Sequence, residues 1–68
     1  MREWLREARK ARGYTSQEMA KKLGLSLSYY SMIENGNRKA RMDIPLANKF
    51  AQILDIPLGD VVRNETRL

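Results

Sequence analysis

Cysteine and histidine are both missing from this chain, and the two absences remove much of the chemistry a small protein can perform. Without thiols there is no disulfide and no thiolate nucleophile. Without imidazole the usual zinc sites and near-neutral acid–base catalysis also go. The acidic residues are scattered singly and no glycine-rich phosphate loop is present. No catalytic constellation can therefore be assembled, and the expectation is a protein that is not an enzyme and needs no metal or cofactor. No apolar stretch approaches the ~20 residues that span a bilayer. The opening MREWLREARK is charged and lacks the apolar run of a signal peptide, so no membrane partner is expected and the cytoplasm is the default location. A length of 68 residues allows one domain with one small core, leaving no room for a separate sensor or catalytic unit.

Charge is abundant and unevenly placed. Residues 1–41 hold ten basic and four acidic side chains, net +6, whereas residues 42–68 hold three basic and four acidic, net −1. A basic surface attracts any polyanion, so charge alone does not separate nucleic acid from anionic membranes or acidic proteins. The pattern between Thr15 and Gly36, TSQEMAKKLGLSLSYYSMIENG, makes the distinction. Thr15 followed three residues later by Glu18 is a reciprocal helix cap, and Met19, Ala20 and Leu23 keep helical spacing behind it. Gly24 allows the left-handed exit from that helix. Ser26 then stands where an N-cap opens a second helix, which runs to Asn35-Gly36. Two helices of about two turns joined by a short glycine-containing turn form a helix-turn-helix, whose second member enters the major groove of DNA.

The flanks complete an all-α bundle of five short helices. Residues 2–12 form a first helix, with Trp4 or Leu5, Ala8 and Ala11 at apolar positions and Gly13 at its end. Glu3 and Glu7 face Arg6, Arg9 and Lys10 at pairing distance along it. After the basic loop NRKARMD, Pro45 suits the first turn of a fourth helix. Leu46, Ala47, Phe50, Ala51, Ile53 and Leu54 give that helix a wide apolar stripe. Ile56-Pro57 breaks it, and Leu58, Val61 and Val62 fit a short fifth helix beginning near Pro57. The domain is thus expected over residues 1–62, with Arg63–Leu68 a frayed tail.

Leu5-Arg6-Glu7-Ala8-Arg9, Gly13-Tyr14-Thr15, Ala20, Gly24 and Ile33-Glu34-Asn35-Gly36 together resemble, without gaps, the Cro/CI-like helix-turn-helix family of phage repressors and xenobiotic-response-element regulators. The resemblance covers about residues 5–62. It implies a lambda-repressor-like fold and a structural ion pair between Arg9 and Glu34, which removes both from the DNA-contact set. It also aligns Leu27, Ser28 and Met32 with positions that read base edges, and Tyr29 beside them near the backbone. Ser16, Gln17 and Asn35 match phosphate contacts, where free N–H groups and the positive helix end favour an anion.

The helical wheel points Tyr30 and Ile33 inward and leaves Leu27, Ser28, Tyr29, Ser31 and Met32 on the opposite face. The family usually carries Gln, Arg, Asn or Thr at its reading positions, and bidentate bonds to purines need such side chains. Leu27 and Met32 can instead touch thymine methyls, while Ser28 and Tyr29 supply single hydrogen bonds. Otherwise the two apolar residues pack on a neighbouring helix or a partner protein. Asn37, Arg38, Lys39 and Arg41 can meet phosphates or enter a narrowed minor groove. One domain covers one half-site, so a homodimer on double-stranded DNA is expected, pairing through Ile56, Leu58, Val61 and Val62 unless these residues close the core instead. The resulting reading is a sequence-specific transcriptional regulator, a repressor acting by occlusion and answering to an antirepressor or a competing regulator. A second class stays open, a protein-interaction module such as the antitoxin of a toxin protein or an accessory factor, using the apolar face of helix 3.

Overall fold

The computed structural model describes residues 1–66 and contains five helices: α1 (Glu3–Ala11), α2 (Ser16–Leu23), α3 (Leu27–Glu34), α4 (Ile44–Leu54) and α5 (Leu58–Thr66). Local chemistry sets most of their ends. Thr15 caps α2 through a complete reciprocal box, its Oγ1 accepting from the Glu18 N–H at 3.1 Å while Glu18 Oε1 accepts from the Thr15 N–H at 3.0 Å. Those bonds hold the Glu18 carboxyl below the ordinary carboxylate range. Ser26 caps α3 by accepting from the Tyr29 N–H at 3.1 Å. Asp43, not foreseen in this role, caps α4 by accepting from the Leu46 N–H at 2.9 Å, and Pro45 occupies the first turn as expected.

The first four helices share one exit. Gly13, Gly24, Gly36 and Asp55 adopt positive φ, and the N–H of the next residue returns to a carbonyl five positions back, as in Leu25 to Ala20 at 2.9 Å and Ile56 to Ala51 at 3.0 Å. Gly24, at φ +73°, accepts this geometry without a Cβ clash. Asp55, at φ 54°, carries a side chain into the same region. Arg12 secures that corner, its Nε donating to the Leu54 carbonyl at 3.0 Å and its Nη2 meeting Asp55 Oδ2 at 3.0 Å. The left-handed corner at Asp55 therefore stops α4 before Ile56-Pro57 is reached.

α2 and α3 pack on each other, α3 on α1, α2 on α4, and α4 on α5. The main core joins Leu5, Met19, Ala20, Leu23, Tyr30, Ile33, Ala40, Phe50 and Leu54. A smaller cluster of Ala47, Ala51 and Val61 lies between α4 and α5, with Trp4, Met42 and Ile56 packed against both. Four expectations are corrected. Ala11 is exposed, since α1 turns only one narrow stripe inward, centred on Leu5. Glu3 and Glu7 form no ion pairs along α1 among the described residues, because Arg9 turns inward and the others reach into water. Val61 is fully buried within its own chain, because it faces the small side chains of Ala47 and Ala51. The supposed tail is helical through Thr66, because Glu65 is held by residues at the other end of the chain; Arg67 and Leu68 lie outside the described residues.

Tyr30 lies fully buried, its ring tilted 43° against Phe50 at a centroid distance of 6.4 Å. Its hydroxyl is enclosed and, among the described residues, has no hydrogen-bond partner of good geometry, with the Arg9 guanidinium nearby. Burial, then the Glu34 carboxylate, pushes its pKa from 10.0 up to about 12, with nearby Arg9 opposing the shift. The folded chain thus keeps this proton where the unfolded chain loses it. Stability is fully present below pH 10 and declines as pH rises towards 12. Tyr30→Phe removes an unsatisfied group, so it is expected to stabilise the fold by about 1 kcal/mol and to flatten that decline. Urea denaturation at neutral and alkaline pH checks both effects, and a destabilised variant would show that the hydroxyl is satisfied in solution.

Candidate nucleic-acid interface

The end of α3 is held by Arg9 of α1. Arg9 donates from Nε and Nη2 to Glu34 Oε1 at 3.3 and 3.2 Å, and from Nη1 to the Tyr14 carbonyl at 2.8 Å. Both side chains are about nine-tenths buried, at 11% and 10% exposure. Arg9 therefore faces the protein and not solvent. Tyr30 and Ile33 anchor the same helix from its inner face, both fully buried.

The outer face of α3 consequently has one orientation. Leu27 is 48% and Tyr29 38% exposed, and Ser28 between them is exposed. Met32 is half-buried and packs on the main core, so the apolar content of this face is concentrated at its N-terminal end. An exposed leucine held on a rigid two-turn helix presents its methyl groups to whatever occupies the groove outside. Beside it, Ser16 is half-buried and Gln17 exposed at the start of α2, where first-turn N–H groups lack intrahelical acceptors. Asn35 is exposed just beyond α3.

The basic loop is shaped from within. Ala40 is fully buried and pins its middle, while Asn37 Oδ1 accepts from the Lys39 N–H at 2.9 Å. Arg38, Lys39 and Arg41 are left exposed on either side of that anchor. Arg41 shares a groove with Tyr29, Pro45 and Lys49. Tyr29 is thereby placed against the cationic rim. Lys49, not named from sequence, joins the same positive edge. Its signal was plain: it is the single cation on α4.

The basic residues in and flanking α1 divide differently. Arg2, Arg9 and Arg12 are engaged within the protein, whereas Arg6 and Lys10 are exposed on the outer side of that helix. The loop and Lys49 contribute exposed positive charge beside Tyr29 of α3. The residues named for pairing also separate. Leu58 and Val62 are 37% and 52% exposed, Val61 is enclosed, and Ile56 is half-buried between the two core clusters. Ile44, not named from sequence, is the most exposed large apolar residue among the described residues at 74% and borders a groove with Val62 and Met42. Its position in the pattern gave little signal, since it precedes Pro45 at the first turn of α4.

Among the described residues, no helix is long and apolar enough to cross a membrane. The chain matches the family described as Helix-turn-helix over residues 5–61. It is 49% identical over 39 residues to a protein of Bacillus subtilis (strain 168) described as the uncharacterized HTH-type transcriptional regulator YqaF. That alignment covers 57% of this chain and 51% of the relative, so the chain spans about half of that protein's length. No solved structure matches. The helix pair α2–α3, the Thr15 cap, the Gly24 turn and the Ile33-Glu34-Asn35-Gly36 exit all fall inside the matched range, and the chain belongs to the helix-turn-helix family of the Cro/CI type.

Proposed function

We propose that this chain is a DNA-binding transcriptional regulator that reads a pseudo-palindromic operator as a homodimer and represses by occupying a promoter. The observation that carries this reading is a rigid α3 whose exposed outer end adjoins an exposed basic loop, while its inner side is locked to α1 and the core. In this reading α3 lies in the major groove. Leu27 and Met32 touch thymine methyls, and Ser28 and Tyr29 add single hydrogen bonds to bases or backbone. Phosphates are met by Ser16 and Gln17 at the start of α2, by Asn35, and by Asn37, Arg38, Lys39 and Arg41 in the loop. Arg9 and Glu34 hold the frame and touch no DNA. Promoter occupation needs no chemistry, and its control passes to protein concentration or to an antirepressor. Such a regulator works in the cytoplasm.

Pairing would use Leu58 and Val62 with Ile56 at their edge, and would draw in Ile44 across the adjoining groove. Val61 supports this surface from beneath. Two copies so joined would set their α3 helices about one DNA turn, ~34 Å, apart.

Selection from a random DNA library, followed by titration of the best site at two salt concentrations, tests the reading. An enriched inverted repeat with half-sites one turn apart is expected, bound ~10³–10⁷-fold more tightly than unrelated DNA. The combined Ser28→Ala and Met32→Ala variant is then expected to lose discrimination at particular operator positions, by about 1–3 kcal/mol for each contacted base pair. Uniform weakening across all operator variants would refute base reading by these two residues. A second reading is favoured by the exposure of Leu27 and Tyr29: a protein-interaction module, such as an antitoxin, with α3 facing a protein. It predicts no enriched site and binding to DNA that disappears as salt rises.

A further inference from the structure

We propose that Arg2 is a positioning residue for operator recognition, joining the last turn of α5 to the end of α3 so that the seating of α5 sets the direction of the reading helix. This rests on the dimeric regulator reading above. Arg2 is only 8% exposed, and all its polar contacts lie inside the protein. Its Nε donates to both carboxylate oxygens of Glu65 at 2.9 Å, and Trp4 Nε1 donates to the same carboxylate at 2.8 Å. Its Nη1 donates to the Ile33 carbonyl, and its backbone N–H to the Glu34 carbonyl at 2.8 Å.

The last four carbonyls of a helix have no partner within it. In α3 those of Ser31 and Met32 are met by the N–H groups of Asn35 and Asn37. The remaining two, Ile33 and Glu34, are the ones Arg2 reaches, with Gly36 also donating to Ile33 at 3.1 Å. A cation at this end also opposes the negative pole of the helix. One residue therefore closes the C-terminus of α3 and grips the carboxylate that ends α5. No direct packing between α3 and α5 is prominent, since α5 packs on α4 and α3 on α1 and α2. When a second copy of this chain pairs through α5, the Glu65–Arg2–Ile33 link carries the orientation of that pairing to each α3. In the dimer this favours the spacing at which both half-sites are read together.

The test compares binding of the intact chain, Glu65→Gln, Arg2→Gln and the double variant to a selected full operator and to an isolated half-site. It is run below the melting range of every variant, with the dimerisation constant measured by sedimentation. Glu65→Gln keeps one oxygen to accept from Trp4, replaces the other oxygen and the charge facing Arg2 by an NH2 that cannot accept, and leaves the Arg2 bond to the Ile33 carbonyl intact, so it folds even if Arg2→Gln does not. Full-operator affinity is expected to fall about tenfold, while half-site binding and dimerisation stay within about twofold. Operators with one added base pair between half-sites should lose less affinity in the variants than in the parent chain. The double variant should be no weaker than either single one, because all three changes cut one link. Equal losses on full and half sites, or none, would overturn the inference while leaving the regulator reading intact. A parent chain without preference for the full operator would remove the dimeric reading and this inference with it.

Discussion

Replacing Arg38, Lys39 and Arg41 together by alanine is expected to lower the slope of log K against log salt by about 2.7 per protomer, at ~0.9 for each phosphate no longer neutralised. The three side chains are exposed, and among the described residues none of them forms an ion pair within the chain. They are free to displace condensed cations from DNA. Affinity at ~0.1 M salt should then drop about 10²–10³-fold, and the difference from the parent should close near 1 M. The loop keeps its shape in this variant, because Ala40 and the Asn37–Lys39 bond define it and neither is altered in the backbone. Preference among operator sequences should change little, since phosphate contacts carry no base information. Titrations across a salt series measure the slope. An unchanged value would show that the loop lies away from the phosphates.

Arg9→Ala is expected to destabilise the fold by about 3–5 kcal/mol, the cost of leaving a buried carboxylate uncompensated. Glu34 has its carboxylate almost enclosed and receives two bonds from Arg9, and the Tyr14 carbonyl loses a donor as well. Stability is roughly 0.05–0.15 kcal/mol per residue in small domains, about 3–10 kcal/mol for 68 residues, so the loss takes between about a third and the whole of it. The urea midpoint of the variant should fall by the same fraction. Arg9→Met combined with Glu34→Leu should recover most of the loss, because apolar pairs of similar volume replace buried ion pairs at little cost. A single variant as stable as its parent would mean that water reaches the Glu34 carboxylate.

The two substitutions probe different layers of the molecule. The loop cations lie outside the fold and act through long-range attraction, so their removal should be visible in binding and silent in folding. The Arg9–Glu34 pair lies inside and touches no ligand in the proposed complex. Its loss should be visible in folding first, and in binding only through the fraction of chain that remains folded. Thermal and titration data on the same samples therefore separate the two roles.

The helix-turn-helix could be read from the chain because its signals are local. The Thr15–Glu18 box, the Ser26 cap and the left-handed Gly24 each act within four residues of themselves, where backbone geometry leaves few alternatives. Apolar spacing likewise placed Tyr30, Ile33, Phe50 and Leu54 in the core, since a helix can turn only one face inward. Asp43, two residues before Pro45, is equally legible as a cap, although the proline is the more conspicuous signal. Tertiary structure decided the rest. Val61 and Val62 look alike in sequence, yet α4 covers one completely and leaves the other 52% exposed. The Tyr30 hydroxyl became enclosed only when α1, α3 and α4 met around it. Arg2 and Trp4 lie more than 60 positions from Glu65 and show no pattern shared with it. Their union turned an apparent tail into helix and gave α3 its final cap, because such an arrangement exists only after the intervening chain has folded and brought its two ends together.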